Sequence, residues 1–234
     1  MTKSGVCWNN DNGTWTAVEL MRWQDAKTKV GIYAYAPFNS AATDASKVSF
    51  EIPGDQTNGV DTADFVFDCQ PEFTPSVGLD GTEAVPLTFK HALVKLTVNL
   101  SMRDQFQGSN VTIKGVTLKR SAGKVICDLK NAGAISIAAD SHELDINMHS
   151  LSENSYEAIF YPYNGQQVGA RMLEVTLDDD RVFFYEVPTG GISFQGGSSY
   201  TMTLYVGKDM IKMADDIDVN EWSENDITGG EAEN

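Results

Sequence analysis

The sequence is poor in the residue types from which catalytic and metal sites are most often built. It holds only three histidines and three cysteines among 234 residues. The cysteines are widely separated, at Cys7, Cys69 and Cys127. Such spacing excludes the familiar zinc and redox motifs. No HExxH pattern is present, and His91 lies in an apolar segment, where a hydrogen-bonded structural histidine is favoured over a ligand or base. The sequence therefore nominates no catalytic, cofactor-binding or metal-binding residue, and it predicts a protein that is not an enzyme.

Basic residues and long apolar runs are also scarce. The 17 Lys and Arg residues face 33 Asp and Glu residues, which gives a net charge of −16. A chain this acidic is repelled by nucleic acid and by anionic membrane surfaces. No segment approaches the roughly 20 apolar residues that span a bilayer. The first ten residues lack the apolar core of a signal peptide, so any export signal is expected to have been removed or never to have existed.

Alternation of apolar and polar residues with a period of two is what the chain does contain, and this pattern is typical of half-buried strands. The predicted strands include residues 30–36, 48–52, 111–119, 173–177, 181–187 and 200–206. The strands on either side of the acidic segment 178–180 predict a hairpin. Helix is expected only in short pieces, at 61–67 and 132–139. The pattern predicts an all-β protein of many short strands.

Composition suggests a division of the chain into two parts. Residues 76–84 belong to a stretch with glycine and proline but no sustained alternation, as expected of a linker. We therefore predict an N-terminal β-sandwich domain at 1–75 and a C-terminal one at 85–222. Residues 223–234 are predicted to be an acidic polar tail, and the run of eight carboxylates at 215–234 favours a solvated terminus over a calcium-binding one.

Two other features have a functional and a plain structural interpretation. The aspartates 178–180 offer oxygens to a hard cation, but they lack the spacing of a calcium loop, and a polar turn is favoured. Aromatic side chains near the start of the chain are able to stack on sugar rings, although core packing is favoured for them. The residues of this candidate glycan platform are Trp8, Trp15, Tyr33 and Tyr35.

Several segments, in this order along the chain, resemble motifs of the fimbrillin family, the subunits of type V pili of anaerobic Gram-negative bacteria. They are MRW at 21–23, VGIYAYAP at 30–37, FEIP at 50–53 with Gln56, LTFKHALVKL at 87–96, YEAIFYP at 156–162 and IDVNEW at 217–222. The resemblance extends over most of the chain.

The resemblance implies two β-sandwich domains in tandem, of transthyretin-like or immunoglobulin-like type, on the outer surface of the cell. In this family, subunits are exported as lipoproteins and trimmed, so the first strand is expected to be missing and the lipid to belong to the precursor at the outer membrane. A strand from the next pilus subunit then fills the vacated groove, which is β-strand addition. Ile217, Val219 and Trp222 are the candidate donor or C-terminal strand.

Three functions follow as hypotheses. The leading one is a non-enzymatic fimbrial subunit or adhesin, at the tip or in an accessory position because the polar tail is unsuited to filling a long groove. The second is a surface glycan-binding protein on the same scaffold, and a host or bacterial surface protein is a further possible partner. The third, a sandwich-fold hydrolase, lacks any nominated catalytic residue.

Overall fold

The alternating segments of the sequence form strands, and no α-helix occurs among the residues that the structure describes. This computed structural model describes residues 25, 27–75, 85–103, 106, 108–162, 168–207, 211–214 and 217–222, together with the backbone of 8–11 and 14–17. Single 3₁₀ turns lie at Asp61–Ala63 and Leu129–Asn131. The predicted all-β sandwich class is confirmed.

The strands, in chain order, are β1 (Trp8–Asp11), β2 (Thr14–Ala17), β3 (Val30–Ala36), β4 (Val48–Glu51), β5 (Val66–Phe73), β6 (Lys90–His91), β7 (Val94–Met102), β8 (Ile113–Ala122), β9 (Lys124–Asp128), β10 (Ala134–Ile137), β11 (Glu143–Asn147), β12 (His149–Ser152), β13 (Ser155–Phe160), β14 (Arg171–Leu177), β15 (Val182–Glu186), β16 (Ser198–Val206), β17 (Ile211–Met213) and β18 (Asp218–Glu221). β1 and β2 pair with each other in a short hairpin.

Two larger sheets pack face to face in the second half of the chain. One has the order β11-β8-β14-β15, and the other runs β12-β13-β7-β16, with β17 and β18 both pairing with the far side of β16. Hydrogen bonds cross between the sheets, from the Tyr156 hydroxyl to the Ile113 carbonyl (3.4 Å) and from the Tyr185 hydroxyl to the Met213 sulfur (3.6 Å). The apolar residues that alternate along these strands are buried between them, among them Leu96, Val98, Leu118, Leu173, Val175, Met202 and Leu204.

Two three-stranded sheets, β3-β5-β6 and β4-β9-β10, form a second packed region. The rings of Phe50 and Phe65 meet there with centroids 5.4 Å apart. Gly133 lies so close to β5 that a Cβ at this position would be 2.0 Å from the ring of Phe67, and its φ of +75° is one that glycine adopts freely. Absence of a side chain at Gly133 therefore allows this close packing.

Strand pairing crosses the predicted linker. β4 and β5, which precede it, pair with β9 and β6, which follow it. Residues 76–84 themselves lie outside the described residues, as does the predicted tail at 223–234. The division into domains at 1–75 and 85–222 stays a prediction, and in any such division β9 and β10 share a sheet with β4.

A glutamine side chain joins the two sheets of the larger sandwich. The backbone of Gln56 donates to the Asn147 carbonyl at the end of β11 (3.0 Å). Its side chain reaches the other sheet, where Nε2 donates to the Ile159 carbonyl (2.7 Å) and Oε1 accepts from the Ile159 amide (2.9 Å). Nε2 also lies 3.1 Å from the Pro53 carbonyl. Gln56 is 1% exposed, and its side-chain amide bonds the backbone N–H and C=O of Ile159 as a neighbouring strand would.

Most of the predicted strands are confirmed, the helix expected at 132–139 is wrong, and the one expected at 61–67 is present only as a single 3₁₀ turn. β3 spans the predicted residues 30–36, and β14 and β15 form the predicted hairpin. Residues 132–139 contain β10 rather than a helix, because Ala132 and Gly133 both take left-handed φ values and turn the chain back along β9. At 61–67, one 3₁₀ turn is followed directly by β5, which pairs with β3.

Candidate partner-binding site at the C-terminal edge

The last described strand, β18, lies at an edge of the six-stranded sheet. Residues 199–206 of β16 are paired with β7 on one side, in parallel. Its other side is shared, since β17 pairs with residues 204–206 and β18 with residues 198–201. All four residues of β18 are exposed. β18 is thus a short edge strand that is held by four register pairs and faces solvent.

Ile217 and Val219 line a groove of about 270 Å³ beside this edge. Ile217 is half-buried and packs against the core, whereas Val219 is 57% exposed. The other lining residues are Pro188, Gly191, Ile192, Ser193, Tyr200 and Met213. The groove therefore offers apolar surface next to a strand with little burial of its own.

Trp222 reaches a different part of the protein. Its ring stacks on the ring of His91, with centroids 3.7 Å apart and planes within 2° of parallel. The Nδ1 atom of His91 lies 2.9 Å from Oδ2 and 3.0 Å from Oδ1 of Asp64. Both side chains of this hydrogen-bonded pair are largely buried, at 6% exposed for His91 and 13% for Asp64. The C-terminal strand therefore ends on a seat that belongs to β6 and the segment before β5.

The structure separates the three residues that the sequence nominated. Ile217 and Val219 line the same groove, and Trp222 lies apart from it on His91. Sequence reasoning gave His91 a hydrogen-bonded structural role, which the Asp64 contact fits, but it did not pair His91 with Trp222. Both residues fall in segments that resemble family motifs, but this resemblance does not indicate that the two side chains contact each other. The partner-binding role of the three residues stays a prediction.

The acidic turn between β14 and β15 is fully engaged in contacts within the chain. Asp178 accepts from the amide (3.1 Å) and hydroxyl (3.0 Å) of Thr112. Asp180 pairs with Lys114 at 3.0 Å, and hydrogen bonding from Arg181 holds the pKa of Asp179 below its usual value. Throughout the described part of the chain, no group of three or more His, Cys, Asp or Glu side chains is arranged to hold a metal ion. Asp178 and Asp180 therefore connect the turn to Thr112 and to Lys114 of β8, and Asp179 pairs with Arg181 inside the turn.

Two cysteines lie in the described residues, and both are free thiols. Cys127 is buried on β9, and its Sγ lies 3.6 Å from the Gly133 carbonyl. Burial raises the pKa of Cys127 to about 12 and also raises the pKa of the half-buried Cys69. Thiols with raised pKa values are poor nucleophiles because the thiolate is scarce. Their environment is that of core residues rather than of a redox or catalytic site.

Comparison with known families decides what kind of chain this is. A family model described as fimbrillin-like matches residues 2–222. The chain belongs to the fimbrillin-like family. The match includes every strand of the structure, the Trp222 seat and the groove beside β18.

Solved structures share the fold of this fimbrillin-like chain. A candidate cell adhesion protein from Bacteroides uniformis has 18% identity and a TM-score of 0.65, over 91% of this chain and 81% of that one. Another from Bacteroides ovatus has 16% identity and a TM-score of 0.66, over 94% and 80%. A fimbrial protein from Bacteroides vulgatus has 15% identity and a TM-score of 0.59, over 93% and 85%. At such identities the likeness shows the fold. No curated protein sequence matches the chain.

The described half of the candidate glycan platform in this fimbrillin-like chain is committed to packing. Tyr33 and Tyr35 are half-buried against the core. The Tyr35 ring stacks on Phe65 with centroids 5.9 Å apart, and its hydroxyl donates to the Asn39 carbonyl (3.1 Å). The side chains of Trp8 and Trp15 lie outside the described residues. Across the described ranges, none of the helical segments is long and apolar enough to cross a membrane.

Proposed function

We propose that this chain is a non-enzymatic fimbrial subunit or adhesin of the cell surface, at the tip or in an accessory position, that assembles by donor-strand exchange. Membership of the fimbrillin-like family supports the general role. The observation that carries the assembly mechanism is β18, a short edge strand whose four residues are all exposed.

An edge strand of this kind is suited to exchange. Its backbone pairs with β16 on one side only, and the hydrogen bonds that it makes can be reproduced by any strand of matching length. Ile217 and Val219 supply alternating apolar side chains, and Trp222 supplies a large aromatic one. A strand that leaves its own sheet carries these three side chains with it, and it leaves residues 198–201 of β16 free to pair with another strand.

The short apolar pattern of the C-terminal strand supports a tip or accessory position. Between Ile217 and Trp222 only three side chains are apolar, and residues 223–234 are polar and acidic. A donor strand for a long groove needs apolar residues at alternate positions along its whole length. The chain is therefore better suited to occupy a short site, or to accept a strand, than to link many subunits in a stalk.

The partners that follow are other pilus subunits, bound by β-strand addition, and a protein or glycan on a host or bacterial surface. Attachment to the outer membrane would be through a lipid on the precursor. Glycan binding by a stand-alone surface protein is the alternative function. Since Tyr33 and Tyr35 pack against the core, it would depend on Trp8 and Trp15.

Peptide binding tests the assembly mechanism. A synthetic peptide of residues 214–222 is titrated into a chain that ends at residue 213, which leaves residues 198–201 of β16 without their own β18 partner, while the melting temperature is followed. The matched control peptide carries Ile217→Ser and Val219→Ser. A saturable rise in melting temperature with the first peptide alone is expected, because a ligand that binds only the folded state stabilises it. No rise with either peptide would contradict strand exchange, and screening of glycans would then test the alternative.

A further inference from the structure

We propose that Trp222 is a latch that holds β18 on its own sheet, and that the His91–Asp64 pair is the seat of this latch. The latch would regulate release of the C-terminal strand from outside the sheet that the strand joins. Its use in strand exchange rests on the proposed function, whereas its effect on β18 does not.

The contacts of the C-terminal strand are strongest at its end. β18 itself buries no residue, and Val219 in its middle is 57% exposed. By contrast, the Trp222 ring lies flat on His91 at a centroid distance of 3.7 Å, and the Trp222 amide lies 3.4 Å from the Gly197 carbonyl. Stacked aromatic pairs add stability beyond the area that they bury. Much of the resistance to opening should therefore come from Trp222 rather than from β18.

The seat is held by contacts that do not involve β18. The two oxygens of Asp64 lie 3.0 and 2.9 Å from Nδ1 of His91 and hold the orientation of the imidazole ring. Asp64 follows the 3₁₀ turn Asp61–Ala63 and precedes Phe65, which is 1% exposed in the core. The Phe65 carbonyl in turn accepts from the Ala92 amide at 2.9 Å, next to His91. The ring beneath Trp222 is thus held by two backbone segments and a buried carboxylate.

This arrangement couples β18 to a sheet in which it has no strand partner. β18 pairs with β16, in the six-stranded sheet, whereas His91 belongs to β6, which pairs with β5. Any event that shifts β6 or the Asp64 segment also moves the surface on which Trp222 rests. Release of the C-terminal strand is expected to respond to changes in the β3-β5-β6 sheet, even though β18 does not join it.

Hydrogen exchange of the β18 amides in the isolated chain tests the latch. Trp222→Ala should speed exchange of those β18 amides that bond to β16 by about tenfold or more, because the stacking and the ring burial are both lost. Trp222→Phe, which keeps a ring on the seat, should restore most of the protection. Asp64→Ala, which removes the support of the seat without touching β18, should speed exchange of the same amides to a smaller extent. Val219→Ala is the matched control on β18 and should leave exchange near that of the unaltered chain.

Two results would overturn the latch. If Trp222→Ala and Val219→Ala gave the same exchange, Trp222 would contribute nothing particular to holding the strand. If the β7 amides became faster by the same factor as the β18 amides, Trp222 would be part of the global core. Should Trp222→Ala fail to fold, Trp222→Leu gives the same readout with an apolar side chain. These measurements need no partner, so failed peptide binding would contradict strand exchange and leave the latch unaffected.

Discussion

Replacement of Gln56 by leucine tests whether one side-chain amide holds the two sheets of the larger sandwich together. The change removes three hydrogen bonds, two to Ile159 and one to the Pro53 carbonyl. Leucine has a similar volume, so the loss reports chiefly on the polar groups left without partners. Ile159 is 1% exposed, and water cannot replace the lost partner without opening the structure.

The expected loss follows from the groups that are left without partners. The amide and carbonyl of Ile159 would both be buried and unpaired on this side, and each such group costs about 1–3 kcal/mol. Burial of the leucine side chain offsets part of this cost. A net loss of about 3 kcal/mol is expected, and for a chain of this size it lowers the melting temperature by roughly 6–12 °C.

Urea unfolding of Gln56→Leu and of the unaltered chain gives the difference in the free energy of unfolding directly. Asn58→Leu is the matched control, because it makes the same chemical change at an exposed position two residues further on. Gln56→Glu adds a pH test. Its buried carboxylate would face carbonyl oxygens, so its pKa would rise on folding and the variant would lose stability as the pH rises above the unfolded value of about 4.3. A Gln56→Leu effect no larger than that of Asn58→Leu would refute the argument.

Two further outcomes are expected. Gly133→Ala should lower the free energy of unfolding by about 3 kcal/mol, since its Cβ would meet the Phe67 ring at 2.0 Å and its φ is +75°. The control Gly190→Ala, with open space around it, should change the free energy of unfolding by less than about 0.5 kcal/mol. Equal effects of the two substitutions would contradict the packing of β5 on the β9–β10 turn. In a Cys7→Ser, Cys69→Ser variant, Cys127 should resist labelling by iodoacetamide at pH 8 until the chain is denatured. Burial raises the pKa of Cys127 to about 12, so only about 10⁻⁴ of this thiol is ionised at that pH. Labelling of the folded chain at the rate of an ordinary thiol would contradict this and show that β9 opens readily.

Local alternation was enough to predict much of the fold. β3 and β16 have apolar residues that alternate with polar or small ones. β3 ends before Pro37, which cannot donate to a strand ladder, and β16 begins after the turn-forming Gly196 and Gly197. The β14–β15 hairpin was also predictable, since its turn is short and acidic and its strands are adjacent in sequence. In these cases the sequence pattern and the tertiary environment favour the same local structure.

Pairing between distant segments was beyond the reach of the sequence. Residues 132–139 contain alanines that suit a helix, but pairing with β9 and the left-handed residues at 132 and 133 determine a strand. Gln56 was visible only as part of a motif, and its partner Ile159 lies on a strand about a hundred residues later. The seat of Trp222 was missed for the same reason, because nothing in either local segment specifies which ring stacks on which.

The parallel pairing of β7 with β16 has a consequence for how the chain reaches its folded state. These neighbours are about a hundred residues apart in sequence, and β16 occupies the middle of the sheet, between β7 and the pair β17 and β18. The sheet cannot be completed until the last quarter of the chain is available, so folding is expected to be slow and to finish late. During synthesis, one edge of β7 would stay unpaired until β16 is available. Truncation of the chain before residue 198 removes β16, a central strand of the sheet, and should abolish the fold. Truncation after residue 206 removes only β17 and β18 and should be tolerated far better.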